Sequence, residues 1–379
     1  MRFEFATATR IVFGEGTAAT LPELARSFGT RPLVVTGAST ARAAALVSAL
    51  SAETFAVPGE PTVDLVREGA RRAKDAACDV VISLGGGSAI DAGKAIATIA
   101  TNGGEPLDFL EVVGKGRAIA VPPLPFIAVP TTAGTGSEVT RNAVLGSTAH
   151  GVKASLRSPL MLPRVALVDP ELTWGLPSAV TAFTGLDALT QLIEPYVSAR
   201  ANPLVDALCV EGLRRVAGAL RRVYHDGADH EARREMALAS LFGGLALANA
   251  GLGVVHGFAA PLGGGWKAPH GALCAALLPH GIAANIAALR ARAPQHPALE
   301  RYVAIARLLT GRNDARAEDG IHWVHALSVE LNVPALRAWG ITQADLPVVV
   351  DRAAHASSMQ ANPIPLTGEE LLAVVTAAW

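Results

Sequence analysis

Cysteine, lysine and net charge are all scarce in this chain, and each scarcity closes off a class of function. Three cysteines in 379 residues, Cys78, Cys209 and Cys274, lie far apart and form no metal-type pair. They cannot supply a disulfide framework and suit a reducing, cytoplasmic setting. Cations and anions nearly cancel, 32 Lys and Arg against 33 Asp and Glu, so no basic excess draws a nucleic-acid backbone. Lysine is confined to Lys74, Lys94, Lys115, Lys153 and Lys267, which makes the position of each one informative. The opening MRFEFATATRIVFGEGT brings charges early and has no long apolar core, so it does not read as a secretory leader.

One stretch lacks charge altogether. From Met236 to Trp266 no ionisable side chain occurs apart from His256, a length that would reach across a membrane. Asn249, His256, Pro261 and many glycines interrupt it, and uncharged helices also fill the centres of large folded domains. The stretch is therefore read as buried helix, and the protein as free of membrane.

What is present is ample apolar material, 50% of residues, in a chain long enough for two domains. In the first half, apolar runs alternate with Ala-rich stretches of helical period. RPLVVT, SAETFAV, CDVVISLG and LPFIAVP read as strands, and 40–50, 63–77 and 89–101 as helices. Strands this apolar, separated by helices, predict a Rossmann-like parallel sheet covered on both faces. The FEFATATRIVFG stretch is strand-like and would pair across a dimer axis or form a local hairpin with its own sheet. After residue 177 the texture changes to helices: 178–198, 202–223, 230–250, 271–290, 297–310, 318–331, 343–355 and 368–378. The expected organisation is an α/β dinucleotide-binding domain over 1–177 and an all-helical metal- and substrate-binding domain over 178–379, with ligands in the cleft between them.

Two glycine-rich turns carry the nucleotide reading. Gly85-Gly86-Gly87-Ser88 joins an apolar strand to a helix, where bare N–H groups and a positive dipole end suit a phosphate. Asp91 and Lys94 follow, an acid placed for a ribose and a cation for phosphates. Pro130-Thr131-Thr132-Ala133-Gly134-Thr135-Gly136-Ser137-Glu138 ends a second strand in the same way, although any one of its threonines could simply cap a helix. In the helical half, Asp187 and Gln191 stand four residues apart and share a helix face. His256 and His270 flank Pro261, Pro269 and three consecutive glycines, so they belong to two ends of a helix-loop-helix and can converge. One carboxylate with two imidazoles suits Fe²⁺ or Zn²⁺ with a position open for substrate oxygen. Taken singly, each is equally well a cap or a hydrogen-bonded core residue.

GGGSAIDAGKAIA, AVPTTAGTGSEVT, LPRVALVDPELTWGLP, GLDALTQLIEPYVS and VVHGFAAPLGGGWKAPHG occur in that order, and together they resemble the iron-containing (group III) alcohol dehydrogenases. That superfamily also holds glycerol dehydrogenase, maleylacetate reductase and dehydroquinate synthase, and the resemblance runs from RIVFGEGT to ANPIPLTGEELL. It implies the dehydroquinate synthase-like fold, NAD(P)(H), a divalent metal, an alcohol, aldehyde or ketone substrate, and a homodimer. By resemblance, Gly86, Gly87, Ser88 and Asp91 would hold the pyrophosphate and adjoining sugar, Thr131 and Thr132 would lie along the adenosine, and Lys153 would reach the nicotinamide ribose. Asp187, His256 and His270, with Gln191, would hold the metal.

The departures matter as much. Family members using iron read D-A-x-x-H, and Gln191 stands where that histidine falls; glycerol dehydrogenases manage with one Asp and two His around zinc. Ala260 stands where many members carry a proton-relaying histidine, leaving water and His280 as candidates. NAD-preferring members often carry an acid after the second strand, whereas this chain has Gly37, so repulsion of a 2′-phosphate is missing and NADPH is expected to be accepted. Trp174, Phe258 and Trp266 are expected either to wall the substrate pocket or to pack the core. A metal-independent reductase of the maleylacetate type and a non-catalytic nucleotide-binding relative are the competing readings. A dehydroquinate synthase-like lyase would need more cations than Lys267 and scattered arginines provide.

Overall fold

The computed structural model describes residues 2–38, 40–266 and 268–379; Lys267 lies outside them. The chain divides into two compact units. One comprises Ala6–Thr132 and Gly136–Thr173; the other comprises Trp174–Trp379, the short segment Ala133–Thr135 and the first residues through Phe5. Two short segments thus belong to a unit that chain order alone would not assign to them.

The first unit is built on strands β1 (Arg10–Phe13), β2 (Pro32–Thr36), β3 (Glu53–Ala56), β4 (Val80–Gly85), β5 (Phe126–Pro130), β6 (Asn142–Ser147), β7 (Val152–Arg157) and β8 (Val165–Val168). Among the described residues, six of them form one parallel sheet in the order β1-β8-β5-β4-β2-β3. Its helices are α1 (Leu21–Arg26), α2 (Ala44–Leu50), α3 (Val63–Asp75), α4 (Gly87–Asn102) and α5 (Pro106–Phe109). Every residue of β2, β4, β5 and β8 is buried, whereas the edge strands β1 and β3 are not. Alternation splits the core in two. Leu33, Val35, Val81 and Ala128 point to the α3 and α4 side, while Val34, Val80, Ile82 and Ile127 meet α1 and α2. Helix α4 lies so close to the sheet that a Cβ at Gly93 would come within 2.0 Å of Ser83 Oγ.

Two features depart from the sequence reading. Part of the FEFATATRIVFG stretch does join its own sheet, but as a parallel edge strand rather than a hairpin: β1 lies beside β8, Arg10 opposite Val165. Beyond β5, an antiparallel pair, β6 and β7, stands outside the main sheet.

The second unit is helical, as expected: α6 (Ser178–Val197), α7 (Pro203–His225), α8 (His230–Ala250), α9 (Val254–Gly265), α10 (His270–Arg292), α11 (Ala298–Thr310), α12 (Ala317–Glu330), α13 (Leu346–Ala354) and α14 (Gly368–Ala378). Helix α6 packs against α7, α8 and α10 and is buried nearly all round. Leu186, Leu189, Leu192 and Ile193 are almost wholly removed from water, each worth roughly 1.5–3 kcal/mol over exposure. The charge-free stretch is not one span. Gly251 ends α8 with φ +74°, and α9 departs at 98°. Helix α10 is also long and apolar enough to cross a membrane, but 72% of its most apolar window is buried inside the fold.

Candidate functional site

The two glycine-rich turns begin side by side in the first unit. Strands β4 and β5 are neighbours with Gly85 opposite Pro130, and Thr131 N–H donates to Gly85 O at 2.9 Å. Gly86 caps α4, so Gly87 and Ser88 open that helix with amides lacking helical acceptors. A Cβ at Gly86 would sit 3.3 Å from the Thr132 side chain; backbone and threonine already fill that approach. Gly37 follows β2, and a Cβ added there meets nothing within 4 Å.

The charged residues around these turns behave differently from the sequence reading. Lys94 does not reach toward phosphates. Helix α4 is buried on that side, and Nζ donates to Ser137 O at 3.0 Å, to Thr140 Oγ1 at 2.8 Å and to Asn142 O, while pairing with Asp91 at 3.2 Å. Burial lowers its pKa, with Asp91 pulling the other way. Asp91 also accepts from Ser137 Oγ and from Val144 N–H, so its carboxylate ties α4 to the loop and to β6 before it touches any sugar. Lys153, on β7, pairs with Glu60. Beside Lys94, burial pushes the Glu138 carboxyl up to about 7, against the opposing pull of its own backbone and of Lys94.

In the helical unit, Asp187 on α6, His256 on α9 and His270 at the start of α10 converge. Asp187 Oδ1 lies 3.4 Å from His256 Nε2 and 3.7 Å from His270 Nε2. A fourth group joins them: Cys274, one turn after His270, places Sγ 3.8 Å from His256 Nε2 and 3.7 Å from His270 Nε2. One ligand atom from each of the four lies within 4.8 Å of all the others. The three cysteines form no metal-type pair with one another, but Cys274 joins this cluster, which the sequence reading did not include. The available signal was its spacing of four from His270 on a helix, which puts both on one face.

Glu194 is the other residue the sequence reading missed. It stands on the Asp187 face of α6, two turns on, and is buried. Its Oε2 accepts from His256 Nδ1 at 2.7 Å and its Oε1 from Val255 N–H at 2.7 Å. The carboxylate thus caps α9 and orients the imidazole, with Nδ1 as donor to Glu194 and Nε2 turned toward Asp187. Asn362, from the ANPIP motif, caps the same helix end by accepting from Val254 N–H at 3.1 Å. Gly253 is required there, since a Cβ would approach Asn362 Oδ1 to 2.8 Å and Glu194 Oε1 to 3.0 Å.

The donor set fits a cation. Asp187 Oδ1 and Gln191 Oε1 are both buried without a hydrogen-bond partner, a costly condition unless something positive meets them. Burial raises the Asp187 carboxyl and lowers the imidazoles, but the surrounding charges outweigh it: His270 and then His256 hold Asp187 below its ordinary value, and the Cys274 sulfur first and Asp187 next hold His256 and His270 above theirs. Gln191 packs against α8 at Gly243, where an added Cβ would lie 3.2 Å from the Gln191 Cβ and 3.7 Å from its Oε1.

The remaining candidates disperse. His280 is on α10, about 15 Å of helix beyond His270, and is half-buried with its pKa lowered by burial and then by His325. The structure does not bring it to the cluster. Phe258 is core, with no exposed surface; Trp266 packs against the same core; Trp174 stacks on His230 at 3.6 Å between ring centres.

Residues 8–170 match the family described as iron-containing alcohol dehydrogenase, and residues 181–379 match the C-terminal domain of the Fe-containing alcohol dehydrogenase family. Alcohol dehydrogenase 4 of Saccharomyces cerevisiae is 37% identical over 84% of this chain and 81% of its own length. A solved 1,3-propanediol oxidoreductase superposes with TM-score 0.91 at 32% identity, covering 100% of both chains. Sulfoacetaldehyde reductase of Bifidobacterium kashiwanohense, solved in complex with NAD⁺, gives TM-score 0.86 at 29% identity over 99% of this chain and 98% of that one.

Proposed function

The chain belongs to the iron-containing alcohol dehydrogenase family and is an alcohol dehydrogenase that works with a nicotinamide nucleotide and a divalent metal; from that premise we propose how its own residues divide the work. Asp187, His256 and His270 hold the metal. Gly86, Gly87 and Ser88 hold the pyrophosphate, Thr131 and Thr132 line the adenosine side, and Lys153 serves the nicotinamide ribose from its pairing with Glu60. When bound, the metal supplies Lewis acidity to the substrate oxygen and the nicotinamide supplies or accepts the hydride.

The protein's share is positioning. Amides at the start of α4 meet the phosphate charge with the positive end of a helix. Glu194 keeps the Nδ1 proton of His256 engaged, so Nε2 stays available. Asp91 acts chiefly as a brace, its oxygens already committed to Ser137, Val144 and Lys94. Ala260 has no proton to relay and His280 is remote, which leaves the substrate proton to water. The open space at Gly37 admits a 2′-phosphate without charge repulsion, so NADPH is accepted at least as well as NADH.

The observation that carries this reading is the buried, unpartnered Asp187 Oδ1 facing two imidazole nitrogens. The test is metal content by elemental analysis, followed by NADH and NADPH oxidation with a panel of small aldehydes and ketones. One metal ion per chain and metal-dependent turnover are expected. Turnover without metal would favour a metal-independent reductase. Neither metal nor turnover would favour a nucleotide-binding protein.

A further inference from the structure

We infer that Cys274 supplies the fourth protein ligand of the metal site as a thiolate, in place of a nitrogen or oxygen from position 191, and that this makes the site one for zinc rather than iron. The inference rests on the reading of Asp187, His256 and His270 as metal ligands.

Geometry supports the thiolate first. Zinc bond lengths of about 2.0–2.1 Å to nitrogen or oxygen and 2.3 Å to sulfur, at tetrahedral angles, set neighbouring donors about 3.3–3.6 Å apart. The four measured edges are 3.4 Å and 3.7 Å from Asp187 Oδ1 to the imidazoles, and 3.8 Å and 3.7 Å from Cys274 Sγ to the same two nitrogens. Each needs only a few tenths of an ångström of contraction. The sulfur therefore occupies a corner of a polyhedron whose other corners are already defined.

The bland alternative, a cysteine serving as a small core hydrophobe, is represented elsewhere in the same unit. Cys209 is fully buried among Val205, Ala246 and Ala250. Cys274 is just as buried, but its sulfur faces two imidazole nitrogens and shares the pocket with an unpartnered carboxylate oxygen. Gln191 offers only a neutral amide oxygen, a weaker donor to a transition metal than a thiolate. One carboxylate, two imidazoles and a thiolate form a softer set than oxygen and nitrogen alone, and thiolate selects zinc over iron(II). Binding expels the thiol proton to solvent, so the site gains a second negative charge as the cation enters. Four protein ligands leave substrate oxygen to enter as a fifth.

Cobalt(II) reports the ligand directly, because sulfur-to-cobalt charge transfer absorbs in the near ultraviolet and oxygen or nitrogen ligation does not. The metal-free full-length protein is loaded with cobalt, and its spectrum is compared with those of Cys274→Ser, Cys78→Ser and Cys209→Ala. The expected result is one cobalt per chain with the band present in the parent protein, kept in the Cys78 and Cys209 variants and lost in Cys274→Ser. In direct competition, the preference of the parent for zinc over iron(II) should narrow by roughly tenfold or more in Cys274→Ser. Cobalt bound by the parent without the band would overturn the thiolate while leaving the three-ligand metal site intact. A band lost with Cys78 or Cys209 would overturn it too. Failure of the parent to bind any cobalt would remove the metal site and the thiolate together.

Discussion

Lys94 on α4 and Asp187 on α6 are both ionisable, and both are at most 2% exposed, yet their surroundings differ in kind. The lysine is met on every side: two carbonyls, a hydroxyl and a carboxylate surround Nζ. Asp187 Oδ1 accepts no hydrogen bond, and one turn along the same helix Gln191 Oε1 is equally bare. A buried charge that is fully answered is scaffold, and it holds the α4 end of the nucleotide unit in shape. A buried carboxylate oxygen with no hydrogen-bond donor, held only at ion-pair distance from two imidazoles, marks a place for something the chain itself does not contain.

The sharpest way to break that contrast is Asp187→Asn, which keeps the shape and removes the charge. Metal occupancy should collapse, and kcat/KM with a good aldehyde should fall about 10³–10⁴-fold, the several kcal/mol expected of a lost Lewis acid. Urea unfolding of the metal-free protein should show the variant only modestly less stable than the parent, because asparagine forfeits the attraction by which His270 and His256 hold the Asp187 carboxyl below its ordinary value. A strongly destabilised metal-free variant would mean that Asp187 is scaffold after all.

Lys94→Met tests the other side. Removing one partner of a buried pair strips Asp91 of its charge partner and leaves the Ser137 and Asn142 carbonyls without their donor, at a cost of about 3–5 kcal/mol. Denaturant unfolding measures it directly. A loss below about 1 kcal/mol would show that the lysine is not holding α4, and its assignment to the phosphates would return.

How much of this was legible in the sequence follows from the range of each interaction. The buried strands and their glycine turns were readable because a parallel sheet writes its burial into consecutive residues. Asp187, His256 and His270 were readable as residue types, although only the bend at Gly251 and the break before α10 bring them together. Lys94 was misread because its spacing from Asp91 says nothing about which side of α4 is covered. The pairing of β1 with β8 joins residues some 155 positions apart, and no local pattern records it. Cys274 and Glu194 are the instructive misses. Both lie at helical spacings from residues already singled out, four from His270 and seven from Asp187, but nothing in the sequence says that those faces turn toward one another.

Glu138→Gln probes the scaffold through pH. With the folded carboxyl raised to about 7 from an ordinary 4.5, both states carry the proton below 4.5 and neither does well above 7. Between those limits the unfolded chain loses its proton first, so stability falls as pH rises, by roughly 3 kcal/mol at most. Glutamine cannot ionise. The variant should therefore gain on the parent progressively from pH 4.5 to pH 7 and hold that gain above it, as followed by urea midpoints across the range. A constant difference with pH would place the Glu138 carboxyl in the ordinary range.

Gly37→Asp carries the smallest expected effect, since it acts at a partly exposed strand end rather than on a fully buried group. The added Cβ meets nothing within 4 Å, so the substitution tests charge with little steric penalty. Next to the end of β2, a carboxylate can accept from ribose hydroxyls and repels a 2′-phosphate. The ratio of kcat/KM for NADPH to that for NADH should drop by about 10-fold, near 1.4 kcal/mol, almost entirely through KM, because the reacting ring is untouched. Raised salt should shrink the effect, as it does for any exposed like-charge pair. A change in kcat of the same size for both nucleotides would mean that residue 37 shapes the bound cofactor rather than selecting it. The open space at Gly37 would then be unrelated to the 2′-phosphate.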